Sequence, residues 1–183
     1  MTIYYTGRGD KGKSEMGAKK IAKDDPLFEA LGSLDELNSW IGYCRAYAKG
    51  LKFKSLRSQL QAIQETLFIA QAELGMAGMG KKSKIHITNI KTQELEKEIA
   101  KIDKIVPQIK QFIIPGASEL SAKLDIARAF ARRVERAFVA FNKKQKLNPD
   151  LLQYLNRLSS ILFAHARLVN YLLNVKEENP TYK

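Results

Sequence analysis

Apolar residues return at steps of three and four along five stretches of the chain, the period of amphipathic helices. The first stretch opens at Asp25-Pro26, where a capping carboxylate and a proline at the first helical position mark a start, and runs to about Lys49-Gly50. Its inward stripe is Leu27, Leu31, Leu34, Leu37 or Asn38, Ile41, Cys44 and Ala48. A second helix, 55–75, repeats Leu56, Leu60, Ile63, Leu67, Ala70 and Leu74, ends in the glycines Gly75, Gly78 and Gly80, and should pack antiparallel to the first. Residues 76–91 read as a mobile connection with Ile85 and Ile87 in a short extended piece. A third helix follows on Leu95, Ile99 and Ile102, weakened at Val106-Pro107. Gln111 to Gly116 is an apolar extended segment closed by a Pro-Gly turn. Ser118 then caps a fourth helix reaching about Asn142 on Leu120, Leu124, Ala127, Ala131, Val134, Phe138 and Phe141. The fifth begins at Asn148-Pro149 and carries Leu151, Leu155, Leu158, Leu162, Ala166, Val169 and Leu173 toward Val175. Long helices with short connections predict an all-α, up-and-down five-helix bundle, and residues 1–183 read as one domain.

Residues 1–25 break the pattern. A short extended piece, Ile3 to Tyr5, leads into Thr6-Gly7-Arg8-Gly9-Asp10-Lys11-Gly12-Lys13-Ser14, too rich in glycine and charge for a helix, so the stretch reads as a loop. Gly7 to Ser14 also satisfies the P-loop spacing G-x-x-x-x-G-K-[ST]. A P-loop fold needs a buried strand before the loop and an apolar helix directly after it, whereas Glu15 to Lys23 is polar and contains Gly17. The fold is rejected, but glycines beside Arg8, Lys11 and Lys13 can still cradle phosphate with backbone N–H groups. A flexible basic arm is the equal alternative.

Charge sharpens this picture. The 183 residues hold 31 Lys+Arg against 19 Asp+Glu, a net +12, with 45% hydrophobic and 27% charged residues, the balance of a soluble globular protein. The one cysteine, Cys44, excludes an internal disulfide and points to a reducing compartment, the cytoplasm. No export signal or spanning segment is recognised, so no membrane is expected. Surplus positive charge calls for a polyanionic partner: nucleic acid, anionic lipid or a phosphate-rich ligand. No nucleic-acid fold or aromatic interleaving supports the first, so no nucleic acid is expected.

On the fourth helix, Asp125, Arg128, Arg132, Arg133, Glu135 and Arg136 border the apolar stripe. A solvated charged face would explain them. An anion site would too, since arginine keeps its charge when desolvated and offers a planar fork to phosphate. Of Asp35 and Glu36 on the first helix, Asp35 beside core Leu34 could be solvent-exposed or could take an arginine partner from another helix, and Asn156-Arg157 beside Leu155 could be surface or nucleotide-binding. His86 and His165 lack partners for a triad or metal site, so any chemistry here does without a histidine base.

These residues fall into ordered blocks: Tyr5-Thr6-x-x-Gly9-Asp10-Lys11-Gly12; Lys23-Asp24-Asp25; Phe28-Glu29-Ala30-x-Gly32-x-x-Asp35-Glu36-Leu37-Asn38-Ser39; Phe112-Ile113-x-Pro115-Gly116; Ala127-Arg128-x-x-x-Arg132-Arg133-x-Glu135-Arg136; and Leu155-Asn156-Arg157-Leu158-Ser159-x-x-x-Phe163-x-x-Ala166-Arg167. Together they resemble the PduO-type ATP:cob(I)alamin adenosyltransferases over nearly the whole chain. The resemblance implies a homotrimer of five-helix bundles with sites between subunits. It also implies transfer of the 5′-deoxyadenosyl group of ATP to the cobalt of a corrinoid, with release of triphosphate. By similarity, residues 1–25 form the nucleotide-binding loop, in which Thr6, Gly7, Arg8, Gly9, Lys11, Ser14, Glu15 and Lys23 wrap the triphosphate. Arg132, Arg133, Glu135, Arg136 and Asn156 complete that pocket, Asp35 and Arg128 link subunits across the active site, and Phe112 fills the lower face of the corrin. Asp35, Arg128 and Arg132 are thereby the expected catalytic group. Magnesium would come with ATP, held by phosphate oxygens rather than protein side chains, cob(I)alamin or a related corrinoid would be the co-substrate, and a flavoprotein reductase would supply the electron. Departures also stand out: Gly7-Arg8 for the usual Lys-Thr or Lys-Asn, Gly116-Ala117 for Gly-Gly, Ser160 for Asp, and Asp125 where His is frequent. The last two, Ser160 and Asp125, leave open a catalytically impaired ATP/corrinoid-binding sensor of the same fold.

Overall fold

The computed structural model describes residues 4–182, in the order β1 (Lys13–Met16), β2 (Lys19–Ala22), α1 (Pro26–Tyr47), a 3₁₀ turn (Leu51–Phe53), α2 (Lys54–Gly78), α3 (Asn89–Asp103), α4 (Glu119–Lys144) and α5 (Pro149–Leu172). The starts expected of α1, α4 and α5 are all capped by side chains. Asp25 accepts the Leu27 N–H at 2.9 Å, Asn148 accepts the Asp150 N–H at 3.1 Å, and Ser118 with Ser121 forms a reciprocal capping box. Each cap satisfies amide donors that a helix start otherwise leaves without partners.

The helices alternate in direction along the chain. Lys144 reaches Asp25 at 3.5 Å, which sets α4 antiparallel to α1. Ser118 bonds Asn170 at 2.7 Å, which sets α5 antiparallel to α4. The Asn89 N–H donates to Asp150 at 3.0 Å, so α3 starts where α5 starts. Gly78 lies against Leu27, so the end of α2 meets the beginning of α1. One buried cluster runs between them, including Leu34, Leu37, Ile41, Leu60, Leu67, Leu124, Val134, Phe138, Leu158 and Leu162. The up-and-down bundle expected from periodicity is therefore the architecture. Leu31 alone of the α1 stripe is only half-buried.

Gly78 shows how tightly two helix ends are fitted. A Cβ there would overlap both methyl groups of Leu27, itself buried at the start of α1. Gly78→Ala should therefore destabilise the fold by about 1–3 kcal/mol, although alanine is the better helix former, and urea unfolding would read the loss.

Two expectations need correction. Residues 13–22 are not a loop but an antiparallel hairpin, with Met16 paired to Lys19 around a two-residue turn in which Gly17 has φ 61°. Only Met16 and Ile21 reach the core, so strands of four residues left too little apolar alternation to read. The connection before α3 contains no strand, and it is pinned rather than mobile at Ile87. That residue is fully buried, its N–H donates to Glu73 at 3.0 Å, and its carbonyl accepts from Asn148 at 2.7 Å. Ile85 points outward. Ile3 lies outside the described residues, and Tyr4 and Tyr5 are exposed and form no strand.

Candidate functional site

Helical spacing sets the candidate site on α4. Residues 128 and 132 are one turn apart, so their side chains leave the helix in the same direction, toward α5. There they line a cavity of about 990 Å³ together with Phe112 and Ile113 from the segment before α4, and Ser160 and Phe163 of α5. Arg128 lies over the Phe163 ring at 5.9 Å and pairs with Asp125 at 3.5 Å. Burial pushes the Asp125 carboxyl above the usual carboxylate range, and the neighbouring Arg128 charge opposes that shift. Arg132 is exposed to the cavity and makes no ion pair or hydrogen bond among the described residues. Phe112 is 79% exposed, an unusual state for a large aromatic ring. A free guanidinium beside an uncovered aromatic surface suits a ligand that is anionic at one end and flat and apolar at the other.

One turn further along α4, Glu135 accepts a hydrogen bond from Asn156 at 2.6 Å, joining α4 to α5. Arg136 is exposed and makes no ion pair among the described residues. Arg133 faces the other way, paired with Glu36 of α1 and stacked 4.8 Å from the Phe130 ring centroid. The arginine partner expected for Asp35 is found instead on its neighbour Glu36, while Asp35 is exposed without an ion pair among the described residues, the solvated position that needs no partner. Arg157 is drawn to α3, where its Nε donates to Glu96 at 3.0 Å.

The glycine-rich segment is held in successive turns by backbone hydrogen bonds. The Asp10 N–H donates to the Gly7 carbonyl at 3.3 Å, the Gly12 N–H to Gly9 at 3.2 Å, and the Lys23 N–H to Gly12 at 2.9 Å. Gly7 and Gly12 have φ of 69° and 72°, a conformation in which a side chain would be strained. Thr6 accepts the Arg8 N–H at 3.4 Å, Arg8 pairs with Glu15 at 3.2 Å, and the Lys23 ammonium lies against Gly9. Ser14 sits in β1, and Lys11 is exposed at the turn. No hydrogen bond or ion pair among the described residues joins residues 6–23 to Arg128, Arg132, Arg133, Glu135, Arg136 or Asn156.

Neither His165 nor the cysteine offers a base or nucleophile. His165 is completely buried with no partner for either ring nitrogen, and burial pushes its pKa down to about 4. Burial likewise pushes the Cys44 thiol up to about 12. His165 has a consequence for stability. In the unfolded chain it protonates near its ordinary 6.5, while the folded state holds it neutral to about 4, so the unfolded state takes up more protons between these values. Stability should fall as pH drops from about 6.5 to 4, by up to about 3 kcal/mol from this residue. Urea midpoints at pH 7 and pH 4.5 should differ less in His165→Leu than in the parent protein.

Part of the cavity wall was not legible beforehand. Pro180, Thr181 and Tyr182, beyond α5, line it beside Phe112. Their only signal in the sequence is an aromatic and a proline in a polar tail.

Several known proteins resemble this chain over most of its length. A family model described as cobalamin adenosyltransferase matches residues 4–169. A corrinoid adenosyltransferase of Bacillus subtilis is 38% identical over 91% of this chain and 86% of its own length. One from Citrobacter freundii is 35% identical over 92% of this chain and 95% of its own. A solved variant of the PduO-type ATP:corrinoid adenosyltransferase from Lactobacillus reuteri, complexed with cobalamin and ATP, superposes with a TM-score of 0.91 at 33% identity, covering 97% of this chain and 96% of that one.

Proposed function

This chain belongs to the cobalamin adenosyltransferase family, and on that premise we propose that it transfers the 5′-deoxyadenosyl group of ATP to the cobalt of a reduced corrinoid, releasing triphosphate. The observation that carries the proposal is the shared cavity, where uncovered Phe112 and the unpaired guanidinium of Arg132 lie together. In the reaction the cobalt(I) electron pair forms a bond to C5′ while the C5′–O bond breaks, and triphosphate leaves with that bond's electrons. Cobalt(I) is itself the nucleophile, so no base is required, in keeping with a histidine held neutral in the core. What the protein must supply is alignment and positive charge at the leaving group.

Arg132 would supply that charge, with Arg128 beside it in the same cavity wall and paired with Asp125. Thr6, Gly7, Arg8, Gly9, Lys11, Ser14, Glu15 and Lys23 would wrap the triphosphate, and Arg133, Glu135, Arg136 and Asn156 would complete the nucleotide pocket. These groups would come together in a homotrimer whose sites lie between subunits, the loop of one facing α4 of the next. Asp35, exposed here, would then meet Arg128 across the boundary. In this reading residues 1–183 act as one domain, with 1–25 as its nucleotide loop. Between Thr6 and Lys23 the only carboxylates are Asp10 and Glu15, and Arg8 holds the second, so these residues do not compose a metal site. Magnesium would be carried by the phosphate oxygens of ATP. Among the described residues no helix is long and apolar enough to cross a membrane, and a cytoplasmic setting with a flavoprotein reductase completes the proposal.

The test is anaerobic incubation with magnesium-ATP and chemically reduced cobalamin, following the absorbance of cob(I)alamin and assaying triphosphate. Adenosylcobalamin and triphosphate appearing together support the transferase. Nucleotide and corrinoid binding without either product supports the sensor, a reading favoured by Ser160, exposed at the cavity where the family motif carries an acid, and by Asp125, paired with Arg128 where His is frequent. Phe112→Ala should lower turnover from cob(II)alamin plus a reductant by about tenfold or more, and turnover from pre-reduced cob(I)alamin much less, because a ring filling the lower face of the corrin, the place the resemblance implies for Phe112, would keep the corrinoid's axial base off cobalt(II) and so ease its reduction.

A further inference from the structure

Beyond α5 the chain turns at Asn174, where φ is 54°, and returns along the segment that carries Phe112. Arg167 joins the roots of both. Its Nη2 donates to the Pro107 carbonyl at 2.8 Å, and its Nε donates to Glu177 at 3.1 Å. The other oxygen of Glu177 accepts from Asn170 at 3.1 Å. The Arg167 and Glu177 side chains are 11% and 17% exposed, so this pair is shielded from the screening that makes surface ion pairs weak.

Two further bonds reach the Phe112 segment itself. The Ile114 N–H donates to the Glu178 carbonyl at 2.8 Å, and Asn179 Nδ2 donates to the Phe112 carbonyl at 2.7 Å. They grip residues two apart, as a strand partner would. The segment between α3 and α4 has no helix or sheet of its own, and the Phe112 ring is mostly uncovered, so packing does little to fix it. The residues after this grip then enter the cavity wall, where Tyr182 is 81% exposed.

We propose that residues 177–182 are a strap that positions Phe112 and completes the cavity wall against a flat apolar macrocycle, with Asn179 as the positioning residue. The inference rests on the reading above that Phe112 faces a corrin. An aromatic ring on an unsupported segment loses conformational freedom when a ligand stacks on it, and bonds that fix the segment beforehand reduce that loss. The strap should therefore act on the corrinoid and not on ATP.

Three variants test it: Asn179→Ala, the isosteric Asn179→Asp, which cannot donate, and a deletion of 179–183, which spares the Glu177 and Glu178 contacts. Each should raise the KM for cob(I)alamin by about tenfold, the worth of one well-made hydrogen bond, with the KM for ATP and the thermal midpoint unchanged. Asn179→Gln, which keeps a donor, should recover part of the loss. The absorbance spectrum of bound cob(II)alamin should shift toward that of the free form in the deletion. An active parent protein whose variants keep its cobalamin KM and bound spectrum would overturn the strap and leave the transferase standing. A parent protein that neither binds nor alkylates cobalamin would overturn both.

Discussion

Replacing Arg132 with alanine is expected to slow adenosyl transfer by about 10²–10³-fold, the usual loss when one preorganised group facing a developing anion is removed. Arg132 is exposed to the cavity and makes no ion pair among the described residues, so nothing in the fold depends on it. The variant should therefore unfold at the parent's urea midpoint. Arg132→Lys should recover only part of the rate, because an ammonium keeps the charge but not the planar fork. Single-turnover absorbance with saturating ATP separates this loss from weaker nucleotide binding. A variant with unchanged turnover would remove Arg132 from the chemistry and with it the assignment of the cavity.

The largest effect on stability is expected at Phe138. Its ring is completely buried on α4, the helix that packs against both α1 and α5, and truncation leaves a void that those neighbours must collapse to fill. Phe138→Ala should cost about 3–5 kcal/mol, read as a lower urea midpoint with little change in slope. The consequence reaches the site, since Arg128 and Arg132 project from this helix toward α5. Activity should survive at low temperature and disappear at a lower temperature than in the parent. A loss of less than about 1 kcal/mol would contradict the view that α4 is the central helix of the core.

Much of this fold could be read from spacing because helices declare themselves locally. The period of leucines placed all five, and Asp25, Ser118 and Asn148 marked three starts within a few residues of the groups they cap. The hairpin was hidden because Met16 and Ile21 are its only core contacts, and four-residue strands rich in lysine look like loop. Ile87 was hidden for a different reason. What holds it is Glu73, a carboxylate that reads as surface until a distant amide is found bonded to it. The charged face of α4 was legible as a group but not in its division. Arg128 and Arg132 turn to α5 while Arg133 turns to Glu36, and only the packing of α1 against α4 decides between them. The strap is the furthest from sequence, since Asn179 and Phe112 are 67 positions apart and neither carries a motif that names the other.

If this cavity joins C5′ of ATP to the cobalt of a corrinoid, labelled substrate will show the new bond. ATP carrying ¹³C at C5′ would be mixed with reduced cobalamin and the protein under anaerobic conditions, and the products followed by NMR. A ¹³C resonance for a methylene bonded to cobalt is expected, with one triphosphate formed for each. Label remaining in ATP, or passing to ADP with free phosphate and no cobalt–carbon signal, would contradict it.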